Sequence, residues 1–254
     1  MANTKRSTYI LFTNQDHQPS SLLGMKISGA TRHFILRLTG GCGYMDPIDG
    51  KRNIDFLTET LSGFGGVLLH GGTRIYQFHP ENESYEVFPT ILEVPPVLWE
   101  KNHDLRSVGI VPKMKVVEYH PELGLIVSKD DEHNQITTIH PNLDACLIIQ
   151  RNVDQKLYWD AEWQECERII SAYLEHGGDY KTMLISSNGG ETTKKEIERW
   201  ATDLKWPVLL IKGSGRVTDE LARNRAWLRK HPTVSICSSV SEARDILTKI
   251  GALS

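Results

Sequence analysis

The stretch at residues 182–219 constrains the fold more than any other part of the chain. It contains two short apolar runs, Thr182–Ser186 and Pro207–Ile211, and each run ends in a glycine-containing polar turn that leads into helical sequence. A repeated order of strand, glycine turn and helix builds anion sites in parallel sheets, because the backbone N–H groups at a helix start are unpaired and point outward. Two such turns predict a ligand with several phosphates, or with one phosphate and a ribose. The pattern therefore indicates a nucleotide.

The same alternation of strands and helices extends over most of the chain. Further strands are predicted at Phe34–Thr39, Gly65–His70, Asp144–Gln150 and Thr233–Cys237. Helices are predicted at Lys51–Ser62, Asp160–His176, 192–204, 217–229 and Ser239–Ile250, where apolar residues recur at helical spacing. These elements predict an α/β fold: a single Rossmann-like parallel sheet with helices on both faces.

Two parts of the chain do not follow this alternation. Residues 1–33 are polar, and we interpret them as an N-terminal arm to a nucleotide-binding domain at 34–254. Residues 77–115 are rich in proline, and at that density proline excludes long helices and central strands. We therefore predict an irregular insertion over 77–128 that contains a small hairpin across Pro121–Glu122.

Composition and charge limit the classes of molecule that the protein is expected to bind. The net charge of the 254 residues is −3, which does not favour nucleic acid or an anionic membrane surface. No apolar run approaches the length of about 18 residues that a membrane span needs, and the N-terminus does not resemble a signal peptide. None of the four cysteines forms a CxxC pair, so no metal site is predicted. We expect a cytoplasmic protein whose partner is a small-molecule nucleotide.

Four glycine turns follow predicted strands, and the carboxyl ends of parallel strands meet at one edge of a sheet. A single glycine pair is weak evidence, since tight turns need glycine anyway. Four turns at one edge favour a ligand cleft. The candidate ligand-binding residues are Thr39, Gly40, Gly41, Gly71, Gly72, Thr73, Arg74, Asn188, Gly189, Gly190, Thr192, Thr193, Gly213, Ser214, Gly215, Arg216 and Asp219.

Each residue type in these turns suits a ligand-binding role, and most also suit a structural or solvent-exposed role. Glycines 189 and 190 would let backbone approach a phosphate closely, and the hydroxyls of Thr192 and Thr193 would either donate to a ligand or cap the next helix. The guanidinium of Arg216 suits two phosphate oxygens, or else is solvated. Asp219 would accept from a ribose hydroxyl or stabilise the start of its helix.

Several familiar signatures are missing. The chain has no GxxxxGKS or GxxxxGKT sequence, which excludes a P-loop nucleotide hydrolase. The turn after the first predicted strand does not match GxGxxG, which disfavours a hydride-transferring dehydrogenase. GxSxG is also lacking.

These motifs resemble the SLOG superfamily of Rossmann-like nucleotide-binding domains. The matching segments are TGG at 39–41, GGTR at 71–74, DACLIIQ at 144–150, SNGGETT at 187–193 and IKGSGRVTDELA at 211–222. Within the superfamily the chain looks like the branch shared by prokaryotic proteins and the N-terminal region of melastatin-type TRP channels. The resemblance implies binding of NAD-derived nucleotides, such as ADP-ribose or cyclic ADP-ribose, by a sensor that needs no cofactor. Because a sensor needs an output, we expect one through a homo-oligomer or a separate effector protein.

The LOG branch of the superfamily implies an enzymatic alternative. LOG proteins release free base from nucleoside monophosphates and carry the motif PGGxGTxxE. Here Glu196 falls in register with the motif glutamate, but Asn188 replaces its proline and Thr192 its third glycine. An N-glycosidase with Glu196 as catalytic carboxylate therefore stays an alternative to the sensor, as does a scaffold without a ligand. The two departures favour holding a nucleotide over cutting it.

Overall fold

A computed structural model describes seven parts of the chain. They are residues 9–14, 33–40, 45–102, 104–112, 118–150, 159–175 and 179–254.

The described strands and helices are numbered in chain order. The strands are β1 (Tyr9–Asn14), β2 (Phe34–Gly40), β3 (Val67–His70), β4 (Thr73–His79), β5 (Ser84–Val87), β6 (Arg106–Pro112), β7 (Glu118–His120), β8 (Gly124–Asp130), β9 (Gln135–Ile139), β10 (Ala145–Gln150), β11 (Lys181–Ser187), β12 (Val208–Ile211) and β13 (Val234–Cys237). The α-helices are α1 (Pro47–Thr60), α2 (Val94–Lys101), α3 (Asp160–Glu175), α4 (Glu191–Glu198), α5 (Arg216–Arg223), α6 (Arg225–Lys230) and α7 (Val240–Lys249). Among the described helices, none is long and apolar enough to cross a lipid bilayer.

The large sheet has eight strands in the order β1-β10-β6-β3-β2-β11-β12-β13, and all of its pairings are parallel. The chain places β3, β6 and β10 on one side of β2 and then continues with β11 on the other side. Strand order thus reverses between β2 and β11, and in open α/β sheets the ligand crevice lies at this reversal. The predicted Rossmann-like α/β fold is confirmed.

The core lies on both faces of this sheet because successive side chains of a strand point to opposite faces. On β2, Ile35 packs in a cluster with Ile170 of α3 and Ile197 of α4. The next residue, Leu36, packs on the opposite face in a cluster with Leu57 of α1 and Leu247 of α7. Helices therefore cover both faces, as predicted.

Part of the predicted N-terminal arm belongs to the sheet. Residues Tyr9–Asn14 form the edge strand β1, which pairs in parallel with Ala145–Gln150. The run is short and polar sequence surrounds it, so its apolar residues give only a weak strand signal. An edge strand is paired with a neighbouring strand on one side only, so a short apolar run is enough to form it.

The predicted irregular insertion contains regular elements. Prolines 95 and 96 follow Val94 in the first turn of α2, where their missing N–H groups have no helical partner to lose. Strand β6 is buried in the large sheet between β3 and β10, and its only proline, Pro112, ends it. The exclusion of a central strand was therefore wrong, because proline density was averaged over a segment whose prolines lie in turns and loops or near the ends of its elements.

The rest of the insertion contributes to a five-stranded antiparallel sheet in the order β5-β4-β9-β8-β7. Its β7–β8 pair is the predicted hairpin, with residues 121–123 in the turn. Val127 and Ile139 of this sheet pack with Val111 and Ile148 of the large sheet. That contact fixes the small sheet against the large one.

Two buried histidines connect the end of β3 with the insertion. The Nδ1 atom of His70 accepts from the backbone N–H of Gly72, so Nε2 carries the proton and donates to Ser107 Oγ at 2.9 Å. His140 Nε2 lies 3.2 Å from the carboxylate of Glu93. Burial lowers the pKa of both imidazoles, and that of His70 falls well below its ordinary value.

We expect the free energy of unfolding to fall as the pH drops below about 6.5, the pKa of histidine in an unfolded chain. Both histidines titrate lower when folded, so the unfolded state binds more protons in this range and gains stability from acid. The slope is at most about 1.4 kcal/mol per pH unit for each histidine. Urea denaturation between pH 8 and pH 5 measures it, and His70→Asn should have a shallower slope. Identical slopes in the two proteins would contradict the assignment.

Candidate functional site

A cavity of about 350 Å³ lies at the strand reversal of the large sheet. The ends of β2 and β3, the starts of α3 and α4, and the antiparallel sheet enclose it. Its predicted lining residues are Thr39, Gly40, Gly71, Thr73, Gly190, Thr192, Thr193, Glu196 and Arg216. Its other lining residues are Arg37, Leu38, Ile75, Ile91, Leu92, Ser128, Asp130, Gln135, Thr137, Trp159, Glu162, Trp163 and Glu191.

Strand β2 is in close contact with β11 at Gly40, which is part of the cavity lining. Gly40 pairs with Ser187 at the carboxyl ends of these strands. A Cβ on Gly40 would lie 2.0 Å from the carbonyl oxygen of Ser187, so only glycine fits. This glycine shapes the cavity through strand packing.

The turn after β11 differs in backbone shape from the PGGxGTxxE motif that it resembles. Asn188 has φ 65°, a left-handed conformation that asparagine tolerates and that the ring of proline forbids. Gly189 also has positive φ, and a Cβ there would clash with the side chain of Thr193. Thr192 lines the cavity where the motif has glycine. The substitutions at Asn188 and Thr192 therefore alter the turn and the cavity wall together.

Helix α4 begins at the cavity without a side-chain cap. Its N-cap residue is Gly190, and no side chain among the described residues forms a hydrogen bond with the N–H groups of the first turn. A threonine cap, the alternative for Thr192 and Thr193, is thus not formed. Unpaired N–H groups at the positive end of a helix are suited to bind an anion.

Arg216 lies beside this helix start. A Cβ built on Gly190 would be 3.1 Å from Nη2 of Arg216, so the guanidinium lies against the cap residue. Its side chain is exposed, and no hydrogen bond joins it to another described residue. Its φ of 44° is unusual for a residue with a side chain. A cation next to the positive end of a helix is electrostatically unfavourable until an anion lies between them.

A buried ionic cluster lies deeper in the cavity. Arg37 of β2 is 3% exposed and donates from Nε to Glu196 Oε1 and from Nη2 to Glu162 Oε1, both at 2.7 Å. Glu196 is only 1% exposed. One cation therefore holds two carboxylates from two helices, and the cluster has a net negative charge when both are ionised.

Burial shifts the pKa values of this cluster, and one of its hydrogen-bond donors has no acceptor among the described residues. Burial raises the pKa of the Glu162 carboxyl, with a further contribution from Glu196, against the opposing attraction of Arg37. Burial opposes the charge of Arg37, but Glu196 and Glu162 keep its pKa well above the usual value. The Nη1 group of Arg37 is buried and reaches no acceptor among the described residues. A buried unpaired donor of this kind is costly and calls for a partner such as water or a ligand oxygen.

The turn after β12 does not offer its side chains to the cavity. The Ser214 hydroxyl donates to the Ile211 carbonyl and accepts from the Asn188 N–H at 2.8 Å. The Asp219 carboxylate accepts from the Gly213 N–H at 2.5 Å and pairs with Arg223. Ser214 and Asp219 thus stabilise the turn and are not in the cavity lining, and their ligand roles stay a prediction.

Arg74 also lies apart from the cavity. Its neighbours on β4, Thr73 and Ile75, line the cavity, so the intervening side chain points to the opposite face. There its guanidinium makes a bidentate pair with Glu93. The other predicted residues outside the lining are Gly72, Asn188, Gly189, Gly213 and Gly215, while Gly41 lies outside the described residues.

Sequence reasoning missed Arg37, Glu162 and the two tryptophans of the cavity. A charged residue inside the apolar run FILRLT was the available signal for Arg37, because a buried arginine requires a partner. Trp163 is one of the apolar residues at helical spacing in the predicted helix Asp160–His176, and this periodicity does not distinguish core from cavity wall. Nothing in the local sequence marks Glu162.

Comparison with known proteins shows the fold. No sequence-family profile matches the chain, and no curated protein matches it in sequence. The molybdenum cofactor binding protein of the phototrophic bacterium Rippkaea orientalis is similar in structure, with a TM-score of 0.50 and 18% identity over 87% of this chain and 98% of that one. The molybdenum cofactor carrier protein of Chlamydomonas reinhardtii gives a TM-score of 0.49 and 13% identity over 86% and 98%. Fold and cavity together define a Rossmann-like protein with a ligand-sized pocket at its strand reversal.

Proposed function

We propose that this protein binds a nucleotide of the ADP-ribose or cyclic ADP-ribose kind and acts as a sensor domain for it. The observation that carries the proposal is the uncapped start of α4 with the Arg216 guanidinium beside it. A phosphate placed there accepts from backbone N–H groups and from the arginine fork at once. It also removes the unfavourable proximity of two positive groups.

The rest of the cavity accommodates the sugar of such a ligand. The unpaired Nη1 of Arg37 supplies a donor for a ribose oxygen, and the Glu162 carboxyl accepts from a hydroxyl. The volume of about 350 Å³ lies within the range of ligand pockets, about 300–1,000 Å³. It suits a nucleotide with part of its length outside the enclosed space.

Calorimetric titration of the full chain tests the proposal. The ligands are ADP-ribose, cyclic ADP-ribose, NAD and AMP, with the molybdenum cofactor as the competing class because the two structural neighbours are named for it. Saturable binding of an ADP-ribose compound supports the proposal. No binding by any nucleotide, or tighter binding of the molybdenum cofactor, contradicts it.

The buried position of Glu196 favours N-glycosidic hydrolysis as a second candidate function. A solvated glutamate would contribute little, but this carboxylate is 1% exposed and lines the cavity. There it would stabilise an oxocarbenium-like sugar or activate water. Water would add to the anomeric carbon, the bond to the base would break, and the base would leave with a proton.

If the protein is such a hydrolase, Glu196→Gln is expected to lower base release at least about 100-fold, the usual contribution of an acid–base group. Chromatography of free base from AMP and of nicotinamide from NAD measures the rate. Glu198→Gln is the matched control, since Glu198 is in the same helix but outside the cavity lining. Undiminished turnover in Glu196→Gln removes this residue from the mechanism, and a wild type without turnover leaves only the binding function.

A further inference from the structure

We propose that Trp159 and Trp163 form a subsite for the planar heteroaromatic ring of the ligand. The inference rests on the proposed nucleotide function and identifies the end of the cavity that holds the base. The glycine turns account only for the phosphate end. A nucleotide also presents a flat, largely apolar ring, which binds best on aromatic side chains.

The two indole rings belong to one surface. Trp163 lies in the first turn of α3 and Trp159 immediately precedes that helix, four residues earlier. Residues four apart are neighbours on one helix face, and both of these line the cavity. Trp159 is 36% exposed, and of the four exposed large hydrophobic residues described it is the one in the cavity wall. Its apolar surface thus borders the space where a ligand would lie.

Trp163 adds a polar observation. Its indole Nε1–H is buried and reaches no acceptor among the described residues. Tryptophan donates and cannot accept, so this group needs an acceptor. A ring nitrogen or carbonyl oxygen of a heteroaromatic ligand would provide one, whereas a hydrocarbon ring would not.

Another part of the cavity wall suits the edge of such a ring. Strands β8 and β9 of the antiparallel sheet contribute Ser128, Gln135 and Thr137 to the lining. Hydroxyl and amide groups both donate and accept, as the edge of a nitrogen heterocycle requires. The cavity therefore combines an anion-binding helix start, an aromatic surface and a polar edge.

The test compares AMP with ribose 5-phosphate, which lacks the base. We expect Trp159→Ala to weaken AMP binding about 5- to 150-fold, the range for loss of one base–aromatic stack, and to leave ribose 5-phosphate binding unchanged. Trp163→Phe, which keeps an aromatic ring and removes the N–H, should also weaken AMP binding alone. Trp227→Ala is the control because Trp227 lies outside this cavity lining.

Failure of the ring subsite and failure of nucleotide binding give different results in this test. If wild type binds AMP no tighter than ribose 5-phosphate, or if Trp159→Ala weakens both ligands equally, the ring subsite is overturned while the phosphate site stands. If wild type binds neither probe nor any ADP-ribose compound, the nucleotide function and the subsite are both overturned. Selective loss of AMP binding supports the subsite.

Discussion

Replacing Arg37 by methionine is expected to lower the free energy of unfolding by about 3–5 kcal/mol. Arg37 is 3% exposed and is the shared partner of Glu196 and Glu162. Its removal leaves two carboxylates close together in a poorly solvated region. Breaking a buried ion pair on one side is strongly destabilising for this reason.

Urea denaturation of Arg37→Met against wild type measures this cost. Arg199→Met is the control, since Arg199 also pairs with a glutamate but is 39% exposed, and an exposed pair contributes at most about 1 kcal/mol. Burial and Glu196 raise the pKa of Glu162, and Arg37→Met removes the opposing attraction of Arg37, so this carboxyl should titrate higher in the folded state than in the unfolded state. The deficit should therefore shrink as the pH falls from 7 towards 5. Equal costs for the two variants would contradict the buried cluster.

The second large effect is expected on ligand binding. Arg216→Ala should weaken binding of the best nucleotide of the titration about 10- to 150-fold, which corresponds to loss of one or more hydrogen bonds to a charged group. Arg216 is exposed and bonds to no other described side chain, so the stability of the protein should hardly change. Calorimetric titration at a fixed salt concentration gives the ratio of dissociation constants.

Two further variants separate the contributions of charge, side-chain geometry and position at Arg216. Arg216→Lys keeps the charge and loses the two-pronged fork, so its affinity should lie between those of wild type and Arg216→Ala. Arg225→Ala removes an exposed arginine that is outside the cavity lining, and it should bind as wild type does. If Arg216→Ala and Arg225→Ala bind equally well, the phosphate is not held at this helix start.

The sequence was sufficient for the general architecture because that architecture depends on local patterns. Apolar runs of strand length that alternate with amphipathic helices predict a parallel sheet, and glycine turns after its strands predict a cleft at one edge. The large sheet and the cavity at its reversal agree with this. Thr39, Gly190 and Arg216, chosen from the turns alone, all reach the cavity wall.

What the sequence did not reveal depends on contacts between distant segments. Arg37 and Glu196 are 159 positions apart, and only the fold brings them within 2.7 Å. Arg74 and Arg216 both follow glycine turns. The alternation of side chains along β4 directs Arg74 to Glu93, away from the cavity. Strand β6 was missed because a proline-rich context concealed an apolar run whose one proline stands at its end.

The structure gives specific observations on whether a bound nucleotide would only be held or would be hydrolysed. The left-handed backbone at Asn188 excludes the proline of the LOG motif, while Glu196 retains the buried position that a catalytic carboxylate would need. Arg37 holds this carboxylate in a fixed geometry. Glu196 is therefore buried in register with the motif glutamate, whereas the turn before it has a backbone that proline does not adopt.

A crystal structure of the protein with ADP-ribose tests the central claim most directly. We predict a phosphate oxygen within about 3.2 Å of the backbone N–H groups of Glu191 or Thr192 and of the Arg216 guanidinium, with the rest of the ligand in the cavity. Ligand density elsewhere on the protein, or an empty cavity at saturating ADP-ribose, would contradict the assignment of this site.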